Sequence, residues 1–320
     1  MSDINFQNFP KHENKEIRNI IKAPENHYIV SFDYAQLEAR ILAMASKDME
    51  FCNAIWNNID THAKWSNELL SFNSKLLDKF PVIKKYKTKE QVYKGQFKLL
   101  RSDVKNNLVF KLFYGGGKKS LTSHYLPLGM SQEAMDAIYN KFWEVYSGVK
   151  KWQEEIVKFY NENGYSKSLT GRKRRYPLSY NEIINFPIQS TASFDICIVA
   201  GNYLSDIAVT KNLPQLQYRI NIHDDLTFYI PEKTLLEDII TIGYNMVYPR
   251  YKFINVPLEV EYSIGTNWGN MIDTGKINTN EFFNYNHINN IWINREEKLP
   301  PLMRKAIRAK EINNTKEIII

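Results

Sequence analysis

The order of its periodicities limits this chain more than any other feature. A strand-like run comes first, then a long helical stretch, then a group of strands. In "NHYIVSFDYAQLEARILAMAS" (26–46), residues 27–32 are dense in β-formers. After Tyr34 the spacing turns helical, with Leu37, Ile41, Leu42 and Met44 apolar. Asp33 therefore falls where a strand ends and a helix begins. Residues 47–130 read mostly as helix, with polar breaks near 71–76, and "RSDVKNNLVFKLFYGGG" is a helix stopped by Gly115, Gly116 and Gly117. Two more helices are predicted over 132–146 and 148–162, and "YSKSLTGRKRRYP" is a basic hairpin or loop. "PIQSTASFDICIVAGNYLSDIAV" is a long helix. "QLQYRINI" and "LTFYIP" alternate as strands around a His-Asp-Asp turn, and "VPLEVEYSIGTNW" is a further strand. This order predicts an α+β protein in which a helical region is inserted into a sheet-based domain.

Charge narrows the partners. The net charge is +7, but eleven Lys or Arg and only two acids, Glu90 and Asp103, lie between Lys84 and Lys119. Such clustering fits phosphates or an anionic polymer, and equally a solvated basic surface. The two cysteines, Cys52 and Cys197, have no CxxC spacing, which implies a reducing compartment without disulfides or a zinc site. No stretch approaches ~18 consecutive apolar residues, and the polar N-terminus has no signal core. A soluble cytoplasmic protein is expected.

Asp224 and Asp225 sit at a strand–turn–strand tip, and Asp33 at another strand end. If these strands share a sheet, three carboxylates converge and require a divalent cation. Hard oxygen ligands favour Mg²⁺, and two such ions suit phosphoryl transfer. Aspartates are also ordinary turn residues, but the apolar flanks "YRINI" and "LTFYI" argue against a purely structural tip.

Eight segments in collinear order, over about residues 4–269, resemble the A-family DNA polymerases, the group of bacterial DNA polymerase I and phage replicases. "SFDYAQLEARILA" resembles motif A, "RSDVKNNLVFKLFYGG" motif B, and "IHDDLTF" motif C. "INFQNFP" is similar to the family's Asn-Leu-Gln-Asn-Ile-Pro lead into the palm, and "DTHAKW" to its Asp-x-His segment. "GYSKSLTGRKRRYP" resembles the Gly-Tyr…Gly-Arg-Arg-Arg hairpin, "NFPIQSTASFDI" the Asn-x-Pro-x-Gln-Gly-Thr-Ala helix, and "VPLEVEYSIGTNW" the last strand.

The resemblance implies roles. Asp33 and Asp224 would hold two Mg²⁺ ions, with the Tyr34 carbonyl as a further ligand and Asp225 as the third acid. Arg101 and Lys105, one helical turn apart, would bind the dNTP triphosphate, and Lys105 would donate a proton to leaving pyrophosphate. His62 would add a phosphate contact, or else be a surface or capping histidine. Glu38 would sit under the sugar and exclude ribonucleotides, although an acid in a first helical turn also complements the dipole. Tyr114 would pack at the motif B hinge against Glu38 and the template base, or be a core aromatic. Asn185 and Gln189 would read the minor groove, unless they are polar groups of a helix start. Arg172 and Arg174 would contact primer–template phosphates, and His223 would support the primer terminus.

Four departures from the family pattern stand out. Asp225 replaces the usual Glu. One extra residue lies between Lys105 and Tyr114, which a π-bulge would absorb; Phe110 rather than Val109 is then taken as the sugar-sensing position. Ser190 replaces a Gly, and Asn181 stands where an Arg is usual. The chain starts at the palm, so the expected architecture is an antiparallel-sheet palm with inserted helical fingers and no thumb. Palm is assigned to 1–45 and 186–270, fingers to 46–185 with the motif B helix at about 100–115, and an extension of unassigned role to 271–320. The extension holds a short basic helix, "PPLMRKAIRAKEI". With Leu302, Ile307 and the terminal "EIII", it is a candidate dock for a separate thumb- or exonuclease-bearing polypeptide or a processivity factor. The Asn/Ile/Lys/Tyr-rich usage fits an AT-rich, phage-like genome. The implied activity is DNA-templated DNA polymerisation. The alternative is a weakly catalytic or non-catalytic DNA-binding accessory that kept the fold. Glu38 argues against a single-subunit RNA polymerase, and the Arg101/Lys105 helix against a nuclease.

Overall fold

A computed structural model describes residues 15–82 and 88–304. The "INFQNFP" segment, Ile307 and "EIII" lie outside the described residues. In chain order the first elements are β1 (His27–Tyr34), α1 (Leu37–Ser46), α2 (Met49–Trp56), α3 (Thr61–Phe72) and α4 (Lys89–Val104). A π-helical segment, Lys105–Val109, joins α4 to α5 (Phe110–Phe113). After it come α6 (Lys118–Tyr125), α7 (Gln132–Val145), α8 (Ser147–Asn163), β2 (Tyr165–Lys167), β3 (Lys173–Arg175) and α9 (Tyr180–Ser190). A second π segment, Thr191–Ile198, leads into α10 (Val199–Thr210). The chain continues through β4 (Ile220–Ile222), β5 (Asp225–Pro231), α11 (Leu235–Val247), β6 (Glu259–Gly265), β7 (Ile272–Asn278), α12 (Thr279–Phe282), β8 (Phe283–Asn286) and β9 (Ile291–Asn294). The described residues form two compact units, one from residues up to Ile41 and from Gln189 onward, the other from Leu42 to Ile188.

The first unit is built on a sheet of order β4-β5-β1-β6-β7, and every pairing in it is antiparallel. β1 takes the centre because its run HYIVSFDY can be buried. Val30 and Phe32 alternate onto one face with Leu226, Phe228 and Ile230, and all five are fully buried. The Phe32 and Phe228 rings meet edge to face at 5.8 Å. Most of α11 is buried, and the Tyr34 hydroxyl donates to its Met246 carbonyl at 2.6 Å.

The 271–320 extension begins within the central sheet. Its first strand, β7, pairs with β6 and forms one edge of the central sheet, with a register shift at Tyr262/Ser263. Thr279 Oγ1 donates to the Val247 carbonyl at 2.9 Å, and the Phe283 ring stacks on Tyr244 at 5.6 Å. Sequence periodicity missed β7 because "IDTGKIN" is a solvent-facing edge strand without apolar alternation.

The second unit is helical around an aromatic core of Phe51, Trp65, Phe113, Phe142 and Tyr146. Asp48 caps α2 through the Phe51 N–H, and its other oxygen accepts the Gly148 N–H at 2.8 Å, tying α2 to α8. A Cβ at Gly148 would lie 2.8 Å from that oxygen, so the approach requires glycine. α9 begins seven residues earlier than the sequence predicts and runs through Pro187. Proline leaves the carbonyl four residues back without its helical partner. Here that carbonyl, Ile183 O, accepts from Ser166 Oγ at 3.1 Å. The continuous helical run Tyr180–Thr210 is long and apolar enough to cross a membrane by length and composition. Its apolar window is 61% buried within the protein, as in a core helix.

Candidate active site

Strand register assembles the acids. Asp33 pairs directly with Asp225, and the Tyr34 N–H donates to the Asp224 carbonyl at 3.3 Å. Ile222 pairs with Asp225, so His223 and Asp224 form a two-residue hairpin turn. His223 takes φ +56°, a conformation that hairpin turns usually give to Gly or Asn. A bulky residue kept there marks a tip under local constraint.

The carboxyl of Asp224 is pushed up to about 7. Burial is the largest cause, followed by the negative charges of Asp33, Glu38 and Asp225. Such a group is satisfied by a proton or by a cation. Asp225 is held differently. Ser31 Oγ donates to its two carboxylate oxygens at 2.7 and 2.6 Å, and Thr227 Oγ1 donates at 3.0 Å. Among the described residues, no three His, Cys, Asp or Glu side chains gather closely enough to enclose a metal ion by themselves. Asp225 is engaged with the Ser31 and Thr227 hydroxyls. Two carboxylates completed by water and substrate phosphates suit Mg²⁺, which dehydrates reluctantly and rarely takes an all-protein cage. The buried, crowded Asp224 therefore fits a divalent cation.

Several residues here escaped sequence reasoning. Ser31 and Thr227 share a sheet face with Asp33 and Asp225, which the two-residue period of a strand would have revealed. Arg18, stacked 4.1 Å over the Trp268 ring, lines a cavity of ≈740 Å³ with Ser31, Asp33 and Asp225. The Cys197 thiol is pushed far up by burial and by the nearby acids, so it stays an inert thiol. Arg18 and Cys197 are brought in by tertiary packing and leave no pattern in the sequence.

The second unit, taken by itself, carries a cationic cluster. Asp60 caps α3 through the Ala63 N–H at 3.0 Å and accepts Arg101 Nε at 2.6 Å. His62, in the first turn of α3, is 3% exposed, and neither ring nitrogen has a hydrogen-bond partner. Its pKa is pushed down to about 4, by burial first and then by Arg101 and Lys105. It is a neutral imidazole beside two cations. Its ring meets Phe110 edge to face at 5.5 Å; Lys105 Nζ stands 5.3 Å from the same ring, and Tyr114 lies 5.7 Å away. The extra residue is absorbed as anticipated: Lys105–Val109 is π-helical, with the Phe110 N–H on the Lys105 carbonyl. A five-residue step keeps Phe110 on the Lys105 side, while Val109 is 1% exposed and turned into the core. Gly115 ends the helix at φ +90°, where a Cβ would lie 2.8 Å from Asn181 Oδ1.

The remaining predicted residues are found on or beside β3 and on α9. Arg172 and Arg174 are exposed on or beside β3, with Arg174 paired to Glu182 at 2.9 Å. Asn185 and Gln189 are four residues apart on α9. Asn185 Oδ1 is buried without a hydrogen bond, and Gln189 is exposed.

The comparisons with known proteins bear on the family and the fold. The sequence model of DNA polymerase family A matches residues 1–270. DNA polymerase I of Caldicellulosiruptor bescii is 29% identical over 282 residues, covering 83% of this chain and 30% of the relative. DNA polymerase I of Bacillus subtilis is 27% identical over 285 residues, with 83% and 29% covered. This chain thus spans about a third of the length of the relatives it matches. A solved structure of the POL domain of Pol1 from M. smegmatis, in complex with DNA primer-template and dNTP, superposes with a TM-score of 0.65 at 25% identity. It covers 83% of this chain and 44% of that one. The family model matches well over half of the sequence, and the chain belongs to DNA polymerase family A.

Proposed function

We propose that this chain is the catalytic part of a DNA-templated DNA polymerase, which joins dNMP to a primer 3′ end and releases pyrophosphate. The observation that supports the reading is the carboxylate cluster, in which Asp224 is buried and crowded by Asp33, Glu38 and Asp225. Two Mg²⁺ ions, when bound by Asp33, Asp224 and the Tyr34 carbonyl, supply charge stabilisation at the attacking and leaving oxygens. Asp225, held by Ser31 and Thr227, positions the cluster rather than closing it. Arg101, Lys105 and His62 bind the triphosphate, and Phe110 and Tyr114 line the sugar and base side. His62 is neutral, so it donates a single N–H and leaves the charge to Arg101 and Lys105. Lys105 is a proton source for the departing pyrophosphate. Glu38 fills the space beneath C2′ and excludes ribonucleotides. Arg172, Arg174, Asn185, Gln189 and His223 hold primer–template DNA. A cytoplasmic setting and a partner polypeptide carrying a thumb or exonuclease belong to the same proposal.

The test is primer extension by the full chain with Mg²⁺, comparing dNTPs with rNTPs in single turnovers. Wild type should extend with dNTPs only, and Glu38→Ala should raise the rNTP/dNTP ratio at least tenfold. DNA binding without extension in Mg²⁺ would instead favour the accessory reading. An unchanged ratio in the variant removes Glu38 as the sugar gate.

A further inference from the structure

The β2–β3 hairpin carries an aromatic ring that none of the roles above uses. Tyr176 follows β3 directly and is 80% exposed. Its φ is +137°, where a bulky L residue is an outlier. Backbone strain of this kind persists only where the surroundings impose it. Here a tyrosine on α8 imposes it: the Tyr160 hydroxyl donates to the Tyr176 carbonyl at 2.6 Å and accepts the Leu178 N–H at 2.9 Å. One phenol thus clamps the backbone on either side of Pro177. The clamp fixes the main chain and leaves the Tyr176 ring in solvent.

The hairpin that leads to that ring carries ordered positive charge. Lys173 and Arg175, alternate residues of β3, stand 4.5 and 5.8 Å from the Tyr165 ring. Lys167, across the hairpin, stands 4.6 Å from the Phe159 ring. Ring faces orient these cations without neutralising them. Arg174 points to the other face and is occupied by Glu182. No acid occurs between Lys167 and Arg175 in the sequence.

We propose that this hairpin binds single-stranded nucleic acid, with an unpaired base stacked on Tyr176 and its flanking phosphates along Lys167, Lys173 and Arg175. A basic strand alone would serve duplex phosphates as well. The held-out ring favours a single strand, because a base presents its face to a side chain only when it is outside a duplex stack. The inference rests on the polymerase reading and deepens it: the strand held here is unpaired template.

The test is fluorescence anisotropy with the full chain, using a labelled oligo-dT of about twelve nucleotides, within the usual single-strand site range, and a blunt duplex of equal length. Tyr176→Phe keeps the ring and should bind both within twofold of wild type. Tyr176→Ala and Tyr176→Gly should weaken single-strand binding about tenfold, in line with base–aromatic stacking, and leave duplex binding within twofold. Glycine accepts positive φ, so Tyr176→Gly should melt no lower than wild type, which separates ring loss from misfolding. Unchanged single-strand affinity in Tyr176→Ala overturns the platform, and equal losses on both DNAs overturn the single-strand assignment. A wild-type chain that binds neither DNA overturns the polymerase reading itself, a result distinct from failure of the platform alone.

Discussion

The two units treat charge in opposite ways. In the first, burial and the charges of Asp33, Glu38 and Asp225 push Asp224 up to about 7. In the second, each charged group near the helix already has a local arrangement. Arg101 is answered by Asp60, Lys105 lies over the Phe110 ring, and His62 is kept neutral. The first surface is unfavourable as it stands and improves when a cation arrives. The second is ordered in advance and tolerates waiting for an anion. A site for small divalent ions can be held by strand register alone. A site for a flexible polyphosphate gains more from cations whose side chains are already oriented.

The largest effect should come from breaking the acidic half. Asp33→Ala or Asp224→Ala should lower single-turnover extension by more than ~3 kcal/mol of transition-state stabilisation, more than about a hundredfold. DNA affinity by anisotropy should stay within about threefold. Extension within tenfold of wild type for either variant would remove the two-metal assignment.

Next in size is the stability cost of the acids themselves. Below pH ~4, Asp224 is protonated in both folded and unfolded chains. Between ~4 and about 7, only the folded chain keeps the proton, so stability falls as pH rises through that window. In chelator, thermal melts should record a loss on the order of 2 kcal/mol, after allowing for partial exposure. Mg²⁺ or Asp224→Asn should flatten the slope. A melting temperature that rises from pH 5 to 7 in chelator would contradict the crowding.

The cationic half offers a finer contrast between neighbours. Phe110→Ala should raise the KM for dNTP roughly tenfold while leaving the melting temperature nearly unchanged. Val109→Ala should do the reverse, costing about 1–3 kcal/mol of stability with little change in KM. Exchange of these outcomes would mean that the π segment does not set the helix face.

The smallest effect tests the hydroxyl clamp. Ser31→Ala should reduce extension several-fold, by about 1 kcal/mol, and Asp225→Ala should do no more than about ten times that damage. A loss in Asp225→Ala equal to that of Asp224→Ala would show that its carboxylate reaches a metal.

Much of this arrangement was legible before any coordinates. The change from strand to helical spacing at Tyr34 put Asp33 at a strand end. The apolar flanks of His223-Asp224-Asp225 marked a strand–turn–strand hairpin, and counting from Lys105 to Tyr114 exposed one residue too many. These readings succeeded because they depend on local periodicity, which backbone geometry enforces residue by residue. The edge strand β7 was not legible, because an exposed polar strand has no apolar alternation. The early start of α9 was hidden by Pro187, whose orphaned carbonyl is satisfied by Ser166 on a different element.

The sequence by itself determined the strand-to-helix change at Tyr34, the hairpin that carries Asp224, and that Phe110 and Lys105 could share a helix face if an extra residue were absorbed. Only the tertiary structure decided that Asp33 lies opposite Asp225, that Ser31 and Thr227 engage that carboxylate, and that Asp224 is buried among its acidic neighbours. The physical reason is range. Spacing along a chain fixes direction over a few residues, whereas repulsion between carboxylates depends on distance and burial. Those are set by which strands pair across almost two hundred residues of intervening helix.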